Sequence, residues 1–126
     1  MSKDQPDIVA DFPLAIRLAE LAWHAAPAYG SGSLTSLMGT FEANRPGGSS
    51  AQATLYFDLA ITLGAGRNAG IFVAKAEAVA LPAGDRRAFE KLLKQAVDAS
   101  ELQPDLSNLV MRERAIWLLE TVDDLF

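Results

Sequence analysis

The chain has no cysteine and a single histidine, His24, among its 126 residues. The first absence excludes disulfides, thiolate catalysis and cysteine-based zinc sites. It leaves the compartment open, because a cysteine-free chain suits cytosol and periplasm alike. One imidazole, with no other ligands at a useful spacing, leaves no metal site in view. Basic residues are also scarce: 11 Lys and Arg stand against 16 Asp and Glu, a formal charge of −5. Nucleic acid and anionic membrane surfaces reward a basic face, so neither is an expected partner. The longest apolar stretch, "AGIFVAKAEAVALPAG", is too short and too interrupted to span a bilayer. The N-terminal "MSKDQPDIVADFP" shows no apolar h-region, cleavage signal or lipobox, so no signal peptide is expected there. Runs of β-branched residues are missing, which argues against a sheet.

What is present fits one folded domain. Half the residues are hydrophobic and 21% are charged, the balance of a globule rather than a disordered tail. Apolar periodicity predicts six helices joined by short turns in an all-α domain spanning 1–126, with 1–12 as a flexible N-terminal segment. Leu14, Leu18, Leu21, Ala22 and Ala25 mark the first helix, with Asp11 and Pro13 near its start. Leu34, Leu37, Met38 and Phe41 mark the second, which "NRPGG" ends. The third covers 50–63, opened by a capping box of Ser49 and Gln52. The fourth covers 69–81, before Pro82. Phe89, Leu92, Leu93, Ala96 and Val97 mark the fifth, and "PD" at 104–105 opens the sixth.

Residues 64–70, "GAGRNAG", place Gly64, Gly66 and Gly70 in a G-x-G-x-x-x-G pattern. A phosphate cradle of that kind needs a strand before it and a helix after it. The preceding segment instead repeats Thr54, Asp58 and Thr62 every four residues, which is a helical period. The glycines therefore read as a turn between two helices. Gly64 is expected in the left-handed C-cap conformation, Asn68 as the next N-cap, and Arg67 as a donor to the carbonyls ending helix three.

Helix pairs of this size suggest hairpin repeats of the tetratricopeptide (TPR) kind. Gly39 supplies the small residue of a first helix, and Ala53, Phe57 and Ala60 the small–aromatic–small set of a second. Ala74, Phe89, Leu93 and Ala96 form a degenerate second copy. Small residues matter because they let two backbones approach closely.

Few side chains suggest chemistry. Arg17, Glu20 and His24 share a polar stripe of helix one and read as solvated. Glu42, Glu77 and Glu90 have no partner at an obvious spacing. Helix four is apolar nearly all round, so it lies centrally in the core or lines an apolar groove with helices two and six. Its charges, Lys75 and Glu77, point in different directions and do not pair with each other. Leu109, Val110, Ile116 and Trp117 give helix six a second apolar face, either joined to a second subunit or covered by the helix folding back on the array. Arg112 and Arg114 read as solvated, with an interface role as the other reading. Asp123 and Asp124 fall on a helix's last turn, where the macrodipole disfavours them. They form either a frayed end or a contact with a basic partner or neighbouring subunit.

The stretches "YFDLAITLGAGRNAGIFVAKAEAVALPAGDRRAFEKLLKQAVD" and "LSNLVMRERAIWLLETVDDLF" resemble the T-component proteins of tripartite ATP-independent periplasmic (TRAP) transporters. Phe57, Ala60, Leu63, Gly66 and Arg67 carry the turn motif, and Asp85, Arg86, Phe89, Glu90, Leu92 and Leu93 a middle helix. Arg114, Ala115, Trp117, Leu118, Leu119, Asp123, Asp124 and Phe126 carry the terminal one. The resemblance covers 31–126 and corresponds to the C-terminal half of family members. It implies three TPR-like antiparallel hairpins in a right-handed array, a non-enzymatic accessory role beside a periplasmic solute-binding protein, and self-association. It favours the periplasm and implies no cofactor. Candidate partner- or ligand-binding residues are Phe41, Phe72, Lys75, Glu77, Arg112, Ile116, Trp117, Asp123 and Asp124, with Gly64, Gly66 and Arg67 as a structural turn. The alternative is a domain that binds a small apolar ligand between helices two, four and six.

Overall fold

The computed structural model describes the backbone from residue 4 and side chains from residue 13 through 126. The expected flexible segment 1–12 thus falls outside the described side chains. Among the described residues there are seven α-helices and no strand. They are α1 (Asp4–Ala25), α2 (Ser33–Asn44), α3 (Ser50–Leu63), α4 (Ala69–Lys75), α5 (Arg86–Leu102), α6 (Leu106–Glu120) and α7 (Val122–Leu125). A 3₁₀ turn, Tyr29–Gly32, precedes α2, and a π-helical turn, Ala76–Ala80, extends α4. The chain is all-α.

Several helix starts follow from local chemistry. The hydroxyl of Ser49 accepts from the Gln52 N–H, Asp85 from Ala88 and Asp105 from Asn108. Each satisfies an N–H that the first helical turn leaves without an internal acceptor. The loop between α2 and α3 is closed by Glu42. Its Oε1 accepts from the Ser49 N–H at 3.0 Å, and both oxygens pair with Arg45 at 2.8 and 3.0 Å.

α2 packs against α3 over a small-on-aromatic contact. A Cβ added at Gly39 would lie 3.0 Å from the Phe57 ring, and Phe57, Ala53 and Ala60 are fully buried. On the other side, α5 packs against α6 through Phe89, Leu93, Ala96 and Ala115. α4 lies between these pairs, which explains its lack of a polar face. Ile71 enters the core with Ala53, Phe57 and Ala60, while Phe72 and Val73 enter the core with α5 and α6. Central placement is one of the two readings the sequence left open for this helix.

The helical stretch beginning at Ala69 changes character halfway. The Leu81 N–H reaches back five residues to the Ala76 carbonyl at 2.9 Å, and Asp85 does the same to Ala80 at 3.0 Å. A π turn of this kind widens the helix by one residue. The alanine-rich sequence carries no mark that separates it from ordinary helix.

α1 departs most from expectation. It starts at Asp4, so Pro13 lies inside it and leaves one ladder bond unmade. The stripe Leu14, Leu18 and Leu21 faces outward, each about 56% exposed, with Ala22 and Ala25 exposed beside it. The half-buried residues are Ile16, Ala19, Glu20 and Trp23. Trp23 fixes this orientation. Its indole N–H donates to the Thr35 hydroxyl at 2.8 Å, which in turn donates to the Pro27 carbonyl at 2.8 Å. Its ring meets Tyr56 edge-on, with centroids 5.5 Å apart. A buried hydroxyl and an aromatic edge outweigh the leucine stripe because they are the partners α2 and α3 offer.

Candidate functional site

The turn between α3 and α4 has a different geometry from the expected one. Gly64 has φ −87°, and the left-handed residues are Ala65 (φ 54°) and Gly66 (φ 70°). Gly64 is needed for space, since a Cβ there would lie 2.7 Å from the Ser31 carbonyl oxygen. Asn68 does not cap α4 with its side chain; its Nδ2 donates to the Ser33 hydroxyl at 3.1 Å. Arg67 joins the turn through its backbone, with its N–H on the Gly64 carbonyl at 2.9 Å. No hydrogen bond of its guanidinium exists among the described residues.

The cap of α4 comes from far along the chain. Asn108, 3% exposed on α6, accepts from the Ala69 N–H at 3.0 Å. Its amide donates to the carbonyls of Arg67 at 2.7 Å and Gln103 at 2.8 Å. One side chain therefore joins the α3–α4 turn, the start of α4 and the α5–α6 turn. Sequence reading missed Asn108, and the only local signal is its place three residues after the Asp105 cap.

The charges that lacked a visible partner in the sequence are paired in the fold. Arg114 grips Glu77 with two bonds of 2.6 Å, an arrangement that raises the guanidinium pKa. Lys75 meets Asp58 at 2.9 Å, and Glu90 meets Arg86 at 3.0 Å. As expected, Lys75 and Glu77 do not pair with each other. Arg114 is therefore not simply solvated. α6 ends at Glu120, so Asp123 and Asp124 sit in the first turn of α7, where the helix dipole favours them. Asp123 accepts from Arg86 at 2.6 Å, and Phe126 packs edge-on against Phe89 at 5.3 Å. The basic contact of Asp123 is thus within its own chain, on α5.

The remaining candidates do not form one site. Trp117 is 57% exposed and shares an outer face of α6 with Leu106 and Val110, at 78% and 53%. Ile116 and Arg112 are half-buried, and the Arg112 Nε is buried with no hydrogen-bond partner among the described residues. Phe41 is half-buried on α2, and Phe72 is buried on α4. His24 is exposed, its ring edge against Trp23 at 5.1 Å.

Several cavities open between these elements. An open depression of about 230 Å³ lies between α2, α4 and α6, lined by Ser33, Ser36, Ile71, Ser107 and Met111. A larger space of about 610 Å³ lies on the other side of α4, towards α3 and α5. Its floor is Ile61, Phe72, Val79 and Leu92, and Lys75, Lys91 and Gln95 also line it. A third cavity, about 300 Å³ and polar, lies where the 3₁₀ turn, the α3–α4 turn and the α5–α6 turn meet. Among the described residues no three His, Cys, Asp or Glu side chains gather as a metal site, and no helix is long and apolar enough to cross a membrane.

An all-α chain with two outward apolar helix faces and paired surface charges is the class of protein seen here. The profile of the TRAP transporter T-component family matches residues 1–126, and the chain belongs to that family. The match extends over the whole chain, beyond the 31–126 that carried the resemblance. No curated protein and no solved structure matches it.

Proposed function

We propose that this T-component is a non-enzymatic accessory of a TRAP transport system, a TPR-like helical module that works by docking to other proteins. Its partners in this reading are copies of itself and a periplasmic solute-binding protein. The observation that carries the reading is the α1 stripe. Leu14, Leu18 and Leu21 hold one face at a four-then-three spacing, and each is about 56% exposed. Apolar side chains in such a row, on a helix whose other face is already anchored by Trp23, mark an interaction surface. The outer face of α6, with Leu106, Val110 and Trp117, is a second. The non-enzymatic part rests on the scarcity of catalytic residue types in the sequence.

Light scattering coupled to size exclusion tests the self-association. The wild-type chain should exceed the 13.5 kDa monomer mass in a concentration-dependent way. Replacing Leu14, Leu18 and Leu21 by Ser should return it to the monomer with its helicity intact. A wild-type chain that stays monomeric at every concentration would remove the homo-oligomer.

A second reading is supported by the 610 Å³ cavity, whose size and apolar floor suit a small apolar ligand. Val79→Trp fills it. If the cavity is a ligand site, that variant loses binding of an apolar fluorescent probe while wild type keeps it; equal binding by both argues against the site.

A further inference from the structure

The polar cavity at the meeting of three connections has no role in the docking reading. Its walls come from the 3₁₀ turn, the α3–α4 turn and the α5–α6 turn, and they are fixed by side chains rather than left as loose loops. Asn108 ties the last two together through the Arg67 and Gln103 carbonyls. Asn68 ties the first to the second through the Ser33 hydroxyl at 3.1 Å and the Ser31 carbonyl at 3.4 Å. Two non-glycine residues at this end hold left-handed backbone, Ser31 (φ 53°) and Ala65 (φ 54°). A rigid polar cleft of this kind needs no rearrangement to receive a ligand.

The polar groups inside it are unevenly used. Asp105 is the one acid among the described lining residues, and each of its oxygens accepts a hydrogen bond. Oδ1 takes the Asn108 N–H at 2.9 Å and Oδ2 the Gln103 amide at 2.9 Å. Those bonds, the Asn108 N–H first, hold its carboxyl below the usual range. Among the described residues Arg67 is the one cation of the lining, and its guanidinium has no partner there. Ser31 and Ser107 also line the cavity, their hydroxyls without a hydrogen bond among the described residues, and the Ser33 hydroxyl keeps its proton to donate. Arg67, whose guanidinium fork matches a carboxylate, and three serines line about 300 Å³, a residue set that suits one planar anion.

We propose that this cavity binds a carboxylate, gripped by Arg67 and hydrogen-bonded by the serine hydroxyls of the lining. The carboxylate belongs either to a small free acid or to an acidic side chain of a docked protein, and the two share this chemistry. The site stands independently of whether the apolar helix faces dock.

Backbone amide NMR tests it. The ¹⁵N-labelled chain is titrated with malonate and, separately, with N-acetyl-glutamate methylamide, while the amides of residues 30–33 and 64–68 are followed. At least one probe should move these amides saturably. Arg67→Ala should weaken that response roughly tenfold or more, since a hydrogen bond to a charged group is lost. Arg67→Lys should restore part of it, keeping the charge without the fork. Arg114→Ala, outside the cavity, should leave it unchanged. The Arg67 side chain makes no hydrogen bond among the described residues, so its variants keep the wild-type spectrum elsewhere. A response to malonate alone supports the site as one for a small acid; a response to the blocked glutamate alone supports it as one for a partner's side chain. No saturable shift with either probe, or equal affinity in Arg67→Ala and wild type, overturns the proposal.

Discussion

The Asn108 side-chain oxygen accepts a hydrogen bond from the Ala69 N–H at 3.0 Å, across 39 residues of sequence. The contact is buried, and the same side chain donates to two further carbonyls. The start of the central helix therefore depends on a residue of α6.

Asn108→Ala should destabilise the fold by about 2–4 kcal/mol, because it leaves a buried N–H and carbonyls without partners. Asn108→Asp keeps the acceptor for Ala69 but loses both amide donors and buries a charge, so it should not rescue. Urea unfolding followed by circular dichroism measures both. A loss below about 0.5 kcal/mol, the scale of an ordinary surface substitution, would remove Asn108 from this role.

Gly32→Ala and Gly66→Ala separate crowding from backbone strain. Both positions have positive φ, 94° and 70°. A Cβ at Gly32 would lie 2.4 Å from the Ala60 carbonyl oxygen, whereas nothing lies within 4 Å of one at Gly66. Gly66→Ala should cost only about 1 kcal/mol, the left-handed penalty. Gly32→Ala should cost clearly more, because α3 backbone must also move. Equal losses in thermal unfolding would show that the close approach of the 3₁₀ turn to α3 is not a constraint.

Local signals made much of this fold legible. Ser49 and Asp105 announce their helix starts, and "NRPGG" ends α2 where expected. Phe57, Ala60 and Gly39 were readable as a close-packed hairpin because small–aromatic spacing is a local pattern. What escaped was set by partners distant in sequence. The leucines of α1 look like a core stripe until Trp23 finds Thr35. Glu77 looks partnerless until α6 brings Arg114 beside it. Asn108 looks like an ordinary polar residue of a first turn. The sequence points to Gly64 for the left-handed position that Ala65 and Gly66 take, because spatial crowding by Ser31 has no sequence mark. Of the surface features, the α6 face with Trp117 was legible as surplus apolar residues, and the polar cavity around Arg67 was not.

The Glu42 clasp makes a pH prediction. Its carboxyl is held below the usual value of 4.5, first by the Arg45 side chain and then by the Ser49 N–H. A lowered pKa in the folded state means the clasp contributes its full stability above the unfolded value, about 4.5. The contribution is lost as pH falls through the folded value. Glu42→Gln should therefore flatten the fall in melting temperature below pH 4.5 relative to wild type. Parallel curves for the two proteins would show that Glu42 adds nothing.

Trp117→Ala should leave folding stability within about 0.5 kcal/mol of wild type, as expected for an exposed side chain. It should lower the assembled mass in solution if the α6 face is an interface. A large drop in melting temperature with unchanged mass would make Trp117 a folding residue instead.

The central claim is that this T-component acts by docking within a TRAP transport system. Its most direct test is a titration of the purified chain against the solute-binding protein of the same system, read by biolayer interferometry. The account predicts saturable binding that weakens at least tenfold when Leu14, Leu18 and Leu21 are replaced by Ser and Trp117 by Ala together. Absence of binding by the folded wild-type chain, or equal binding by the folded variant, would contradict it.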